Sequence, residues 1–456
     1  VNSSIPLEGI DYGHGAGHGT ESVCPVCLRT IPARRVRLGS QVLLDKECPE
    51  HGRFRTPVWR GNPSLGDWVR PKIPARPRQP FLATERGCPN DCGLCERHGQ
   101  HTCTVLVEVT SRCDLSCPVC FAASGGKGKD PELRVVAAMM DRALQLAGPC
   151  NLQISGGEPT VRDDLPAIVA LARERGFGLI QINTNGLRLA KDKAFGESLV
   201  RSGLQSVFLQ FDGVSDEVYL NLRGRSLWDL KQRAVERCVS LGIGLVLVPT
   251  LKPGINDHQI GDILHFALEQ GTLVRGVHYQ PISYFGRYPE TPSDEERITL
   301  PEIMRALEDQ TSGQVRVFDF SPPACEHAMC SFHANYLRED GKLKLLTDRE
   351  RCCTGSEPLQ ASHGAELSKA FTARIWAAPP VSDRDCAPGG LDEFIARSRR
   401  DSFTISAMAF QDAWTLDLER LQGCCIHCLS PDGRLVPFCA WNLTAVDGRS
   451  LHRGQS

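Results

Sequence analysis

The chain has 456 residues, with 52 basic and 54 acidic side chains and a net charge of −2. So even a balance argues against a broad electrostatic footprint for nucleic acid, and no apolar run approaches the roughly 20 residues that cross a bilayer. Cysteine is the outlier, at 21 residues. Clustered cysteines in a large chain without a signal-peptide core point to metal in a cytoplasmic protein rather than to disulfides.

Residues 1–20 are rich in glycine and histidine; His14 and His18 are read as part of a disordered tail. Next come Cys24-Pro-Val-Cys27 and Cys48-Pro-Glu-His51-Gly52. The alternating stretches Ala33–Leu38 and Gln41–Asp45 between them predict a hairpin. A Cys-x2-Cys knuckle joined by a hairpin to Cys-x2-His offers four ligands to one tetrahedral ion. The layout is that of a zinc ribbon or rubredoxin, and it leaves zinc and iron both open. Residues 61–80 carry five prolines and are read as an extended connector.

Cys88, Cys92 and Cys95 follow at x3 and x2 spacing, with Cys103 eight residues after Cys95. These four are expected to close a 4Fe–4S cluster. Immediately afterwards Thr104–Thr110 reads as a buried strand. The strand feeds Cys113-x3-Cys117-x2-Cys120, whose three thiolates suit three irons of a second cubane and leave the fourth iron open to a small molecule.

From 104 to about 280, strands expected at 104–110, 150–155, 178–183, 205–211, 243–249 and 273–280 alternate with amphipathic helices. The clearest helix is expected to be capped at Asp130-Pro131 and to end near Gly148. Six such units predict a parallel sheet with helices outside, an open partial (β/α)6 barrel. Chemistry in such barrels gathers at the C-terminal ends of strands. There lie Gly156-Gly157-Glu158, Asn183-Thr184-Asn185-Gly186 and Gln210-Phe211-Asp212, followed by Arg223. Asp212 and Arg223 read equally as ligand contacts or as a structural ion pair. Residues near His278, Tyr284 and Arg287 are candidates for the substrate end.

The last 150 residues hold nine more cysteines. Cys325, Cys330, Cys424 and Cys439 are the favoured ligands of a third cluster, with Cys425 and Cys428 as rivals. The turn Pro431-Asp432-Gly433-Arg434 predicts a hairpin that returns the chain to Cys439. Cys150, Cys238 and Cys386 read as ordinary buried thiols.

The Cys-x3-Cys-x2-Cys loop with Phe121 after its third cysteine resembles the radical S-adenosylmethionine (radical SAM) superfamily. That resemblance implies a radical SAM barrel. It implies that Cys113, Cys117 and Cys120 hold the open cluster, and that Phe121, Gly156, Gly157, Glu158, Thr184, Asn185, Asp212 and Arg223 surround S-adenosylmethionine. The Cys/His start, the cysteine run at 88–103 and the ending "CCIH…PDGRLVPFCAWN" together resemble the tetraether-lipid synthase family and its bacterial relatives. Members of that group have often been labelled dihydropterin methyltransferases.

The resemblance implies three 4Fe–4S clusters, a mononuclear iron or zinc, and an external donor such as ferredoxin or flavodoxin. It also implies hydrogen abstraction from an unactivated carbon to couple lipid alkyl chains, with peripheral membrane contact. The competing readings are a radical SAM enzyme acting on a soluble small molecule such as a pterin, and a non-catalytic electron-transfer protein. The expected division is a metal domain at 1–60, a linker and cluster segment at 61–103, the barrel at 104–290, and an auxiliary iron–sulfur domain at 291–456.

Overall fold

The computed structural model describes residues 8–9, 19–77, 84–125, 128–339, 342–346, 358–379 and 391–454. His14, His18, Cys352, Cys353 and Cys386 fall outside them. After the two-residue strand Glu8–Gly9, which pairs with the second of them, come four antiparallel strands: β1 (Gly19–Val23), β2 (Thr30–Leu38), β3 (Gln41–Cys48) and β4 (Gly52–Arg60). The predicted hairpin is β2–β3. It brings the knuckle Cys24–Cys27 beside Cys48 and His51.

All six predicted barrel strands form: β5 (Thr104–Thr110), β6 (Asn151–Gly156), β7 (Ile180–Thr184), β8 (Ser206–Gln210), β9 (Gly244–Val248) and β10 (Val274–Pro281). They pair in parallel in chain order. Helical crossovers make that possible, because parallel neighbours cannot be joined by a tight turn. Val136 and Met140 on the helix Leu133–Ala147 pack with Val105, Val107 and Ile154 in one core. Each such side chain, fully buried, contributes about 1.5–3 kcal/mol.

The helix begins at Leu133 rather than at the predicted Asp130 cap. Asp130 instead accepts hydrogen bonds from Thr110 Oγ1 and Arg112 Nε, tying the helix approach to the start of the cysteine loop. A charged partner competes successfully with a backbone cap here, because charge-assisted bonds are the stronger kind.

The C-terminal segment adds strands to the barrel sheet. Its strand β13 (Ser402–Met408) lies parallel to β10, and β14 (Ile426–Leu429) lies parallel to β5. The six-strand expectation therefore becomes eight parallel strands in one sheet. Antiparallel strands extend it at both edges: β11 (Ser331–Glu339) and β12 (Lys342–Leu345) beyond β13, and β15 (Leu435–Pro437) beyond β14. The hairpin β14–β15 turns at Gly433, whose φ of 79° suits glycine. Sequence periodicity did not reveal the two added parallel strands, since long connections separate them from their partners.

The ribbon packs on this same C-terminal segment. Lys46 Nζ donates to the Ala413 carbonyl at 2.7 Å, and Arg35 pairs with Asp417 at 2.7 Å.

Candidate functional site

A cavity of about 700 Å³ opens at the C-terminal ends of the parallel strands. Cys113, Cys117 and Cys120 line it, together with Gly156, Gly157 and Phe121. Two glycines allow this arrangement. A Cβ on Gly156 would lie 2.2 Å from the Thr110 carbonyl oxygen, and one on Gly157 2.2 Å from that of Arg112. Gly157 N donates to Thr110 O and Glu158 N to Arg112 O, so the end of β6 is laced directly to the cysteine loop.

Glu158 is 1% exposed. Its carboxylate accepts from Thr160 N, Thr160 Oγ1, Thr184 Oγ1 and Asn185 N. Burial raises the Glu158 pKa, while these bonds pull the other way. The carboxylate thus shapes the turn after β7. Asn185 is likewise engaged: Nδ2 donates to Asp114 on the cysteine loop at 2.7 Å, and Oδ1 accepts from Leu187 N. Glu158, Thr184 and Asn185 all face the cavity region, but their side chains hold the protein's own backbone in place.

Asp212 and Arg223 take the ion-pair form of their two sequence readings. Two bonds of 2.7 Å join them, and Arg223 also donates to Thr250 Oγ1. Arg223 reaches the cavity and lies electrostatically beside Cys117. Phe121 sits edge-on against Phe285, 5.2 Å between ring centres.

Two further residues hold this site: Arg287, which the sequence offered only as a substrate-end candidate, and Lys231, which it did not single out. Arg287 clamps the cysteine loop: its backbone exchanges hydrogen bonds with Cys120, and its guanidinium donates to the carbonyls of Cys117 and Ser124. Lys231 is fully buried and donates to the carbonyls of Asn185 and Gln210. Burial lowers its pKa to about 8. The available signal was a lysine on the apolar stripe Lys231, Ala234, Val235 and Cys238 of the helix Trp228–Ser240.

The inward faces of the strands supply neutral polar groups: Gln153, Asn183, Gln210, His278, Gln280 and Ser406. Asn183 Nδ2 donates to Gln153 Oε1, Gln153 Nε2 to Gln181 Oε1, and Gln181 Nε2 to Ser206 Oγ. That ladder leaves Asn183 Oδ1 buried with no partner. Phe208, Phe371 and Trp376 add an apolar wall.

The other cysteines sort differently from their sequence grouping. Cys24, Cys27, Cys48 and His51 come together as expected, with their ligand atoms within 4.8 Å of one another. His51 Nδ1 lies 3.4 Å from Cys48 Sγ and 3.6 Å from Cys24 Sγ. These distances match the edges of a tetrahedral site with bonds of about 2.0–2.3 Å.

Cys103, however, is not with Cys88, Cys92 and Cys95. It meets Cys325 and Cys425, all three sulfurs lying within 4.8 Å. The favoured set Cys325, Cys330, Cys424 and Cys439 is split in consequence. Cys92 has Cys88, Cys95 and Cys424 as its thiol neighbours, and Cys424 adjoins Cys330 and Cys439. The reason is backbone pairing: Cys103 N donates to Cys425 O at 2.8 Å where β14 runs into β5, and this carries Cys103 away from the preceding loop. Cys150 and Cys238 are buried in the main core.

Among the described residues, no helix is long and apolar enough to cross a membrane.

Comparison with known proteins agrees with this geometry. The radical SAM superfamily model matches residues 107–267, and the model for the HMPTM N-terminal zinc ribbon domain matches residues 18–60. A 7,8-dihydro-6-hydroxymethylpterin dimethyltransferase of Methanocaldococcus jannaschii is 33% identical over 482 residues, covering 95% of this chain and 94% of the relative. A GTP 3',8-cyclase of Paenarthrobacter nicotinovorans is 30% identical over 196 residues, 42% of this chain and 54% of that protein. Streptococcus suis SuiB bound to S-adenosylmethionine overlaps 47% of this chain and 48% of its own, with 17% identity and a TM-score of 0.37.

Proposed function

Because the chain belongs to the radical SAM superfamily, we propose that it modifies a soluble, planar heterocycle, most simply by methylating a pterin-like ring. The observation that carries this reading is the floor of neutral carboxamides ending in the unpartnered Asn183 Oδ1. A buried acceptor without a donor costs about 1–3 kcal/mol, and a ring N–H or amino group would satisfy it. Phe208, Phe371 and Trp376 would cover the ring's apolar face. An alkyl chain has nothing to offer a row of amides. The name of the M. jannaschii relative, a pterin dimethyltransferase, supports the same choice over lipid coupling.

The donor set fits the cofactors the superfamily implies: three cysteines on one loop facing the cavity, with a glycine cradle beside them. Cys113, Cys117 and Cys120 would hold the cluster, and the ends of β6 and β7 would receive S-adenosylmethionine. Bound there, they supply a carbon-centred radical able to take hydrogen from an unactivated carbon. The chain's own part is to hold the loop rigid through Gly157, Asn185 and Arg287, to orient the heterocycle on Asn183, and to keep water from the reacting atoms. Two further 4Fe–4S clusters would sit at Cys88, Cys92, Cys95 and Cys424 and at Cys103, Cys325 and Cys425, with zinc in the ribbon.

The test is anaerobic. Reconstituted, reduced protein is incubated with S-adenosylmethionine and either 7,8-dihydro-6-hydroxymethylpterin or an archaeal diether lipid. 5′-Deoxyadenosine and methylated pterin are expected, and Cys117→Ala should abolish both. Coupled lipid chains with unmodified pterin would overturn the reading.

A further inference from the structure

We infer that Glu326 is the fourth ligand of a metal centre held by Cys103, Cys325 and Cys425. It would place a carboxylate-bound, displaceable metal position on the wall of the substrate cavity.

Three segments converge there. Cys103 precedes β5, Cys425 precedes β14, and Cys325 lies on the approach to β11; the three are 5%, 3% and 1% exposed. Cys103 Sγ stands 2.6 Å from Cys325 Sγ. All three sulfurs lie within 4.8 Å of one another. Three sulfurs brought together from three segments in a buried place form a donor set that suits a thiophilic metal.

Among the described residues, no fourth cysteine brings its sulfur within the same 4.8 Å. Glu326 approaches the group from the side of Cys425, its Oε2 3.8 Å from Cys425 Sγ. Ser331 Oγ donates to the other oxygen, Oε1, at 2.5 Å and so fixes the carboxylate plane. Lys72 passes beside it, yet its ammonium donates to the backbone carbonyls of Cys325 and Glu326. Gln100 Nε2 holds the Cys325 carbonyl as well, at 2.6 Å. The oxygen of Glu326 therefore remains available to a metal.

Cys103, Cys425 and Glu326 all line the cavity that Cys113, Cys117 and Cys120 line on another side. A carboxylate oxygen is a harder and weaker ligand to thiolate-bound iron than a fourth cysteine. Its position can therefore exchange for an oxygen or nitrogen atom of a heterocycle in the cavity. That last step rests on the heterocycle reading above; the ligand set does not.

The test uses full-length protein reconstituted anaerobically in a C113A/C117A/C120A background, without substrate. Adding Cys425→Ala should remove about four irons and four sulfides per chain. Glu326→Gln should keep the metal count and shift the electron paramagnetic resonance spectrum of the reduced protein. Glu326→Cys should keep the count and give a different, all-thiolate spectrum. Circular dichroism checks that each variant folds. Unchanged metal in Cys425→Ala, unchanged spectra in both Glu326 variants, or a Cys103–Cys325 disulfide in the loaded protein would overturn the assignment. Because no substrate is present, a failure here is separate from a failure to methylate the pterin.

Discussion

Arg223 grips Asp212 through two hydrogen bonds of 2.7 Å, with the two side chains 8% and 0% exposed. The pair ties the end of β8 to the helix Asp216–Arg223 directly beneath Cys117. Breaking a buried pair from one side strands the other charge, at about 3–5 kcal/mol. Asp212→Asn is expected to cost that much in a denaturation experiment on the reconstituted protein. It should also loosen iron at the cysteine loop, read as faster loss of the cluster absorbance. If Asp212 acted only on a ligand, stability would be unchanged.

Gly157 presses on Arg112 so closely that a methyl group has no room. Gly157→Ala must push β6 away from the cysteine loop. Overpacking of this kind costs about 1–3 kcal/mol. The expected result is a lowered melting temperature together with weaker S-adenosylmethionine binding by calorimetry.

Glu158 accepts four hydrogen bonds, and Glu158→Gln turns an amide N–H toward at least one of those donors. A loss of about 1–3 kcal/mol follows. A fall in S-adenosylmethionine affinity at unchanged stability would instead assign the carboxylate to the ligand.

His278 is buried, with its Nδ1 2.8 Å from Ser406 Oγ, and burial lowers its pKa to about 4. The unfolded chain has the ordinary value near 6.5. As pH falls below 6.5 the unfolded state takes up the proton first, so stability is lost between pH 6.5 and 4. The loss is about 3 kcal/mol at most. His278→Gln should lessen the slope of that part of the stability–pH curve, measured by urea titration at each pH, while the buried His98 and His327, lowered in the same direction, keep the rest of it.

The ribbon's four candidate ligands lie within 4.8 Å of one another, and its strands carry the Lys46 and Arg35 contacts to the C-terminal segment. Cys27→Ser should lose one equivalent of zinc by elemental analysis. It should also expose the ribbon to limited proteolysis while leaving the iron count of the barrel unchanged.

Much of this protein is legible in its sequence because the signals are local. Alternating strands and helices from 104 to 280, the cysteine loop after β5, the ribbon knuckles and the Gly433 hairpin each depend on residues a few positions apart. Hydrophobic period, turn chemistry and ligand spacing act over just that range. What the chain could not show is which distant segments meet. Cys103 has Cys95 close by in sequence, but its sulfur lies against Cys325, 222 positions away. The parallel pairing of β14 with β5 decides that, along with the two strands that widen the barrel and the approach of Glu326 to Cys425. Spacing chooses ligands only where the backbone between them is short enough to leave no alternative. Across hundreds of residues the choice passes to the packing of strands, which minimises exposed apolar surface and unpaired backbone for the whole chain at once.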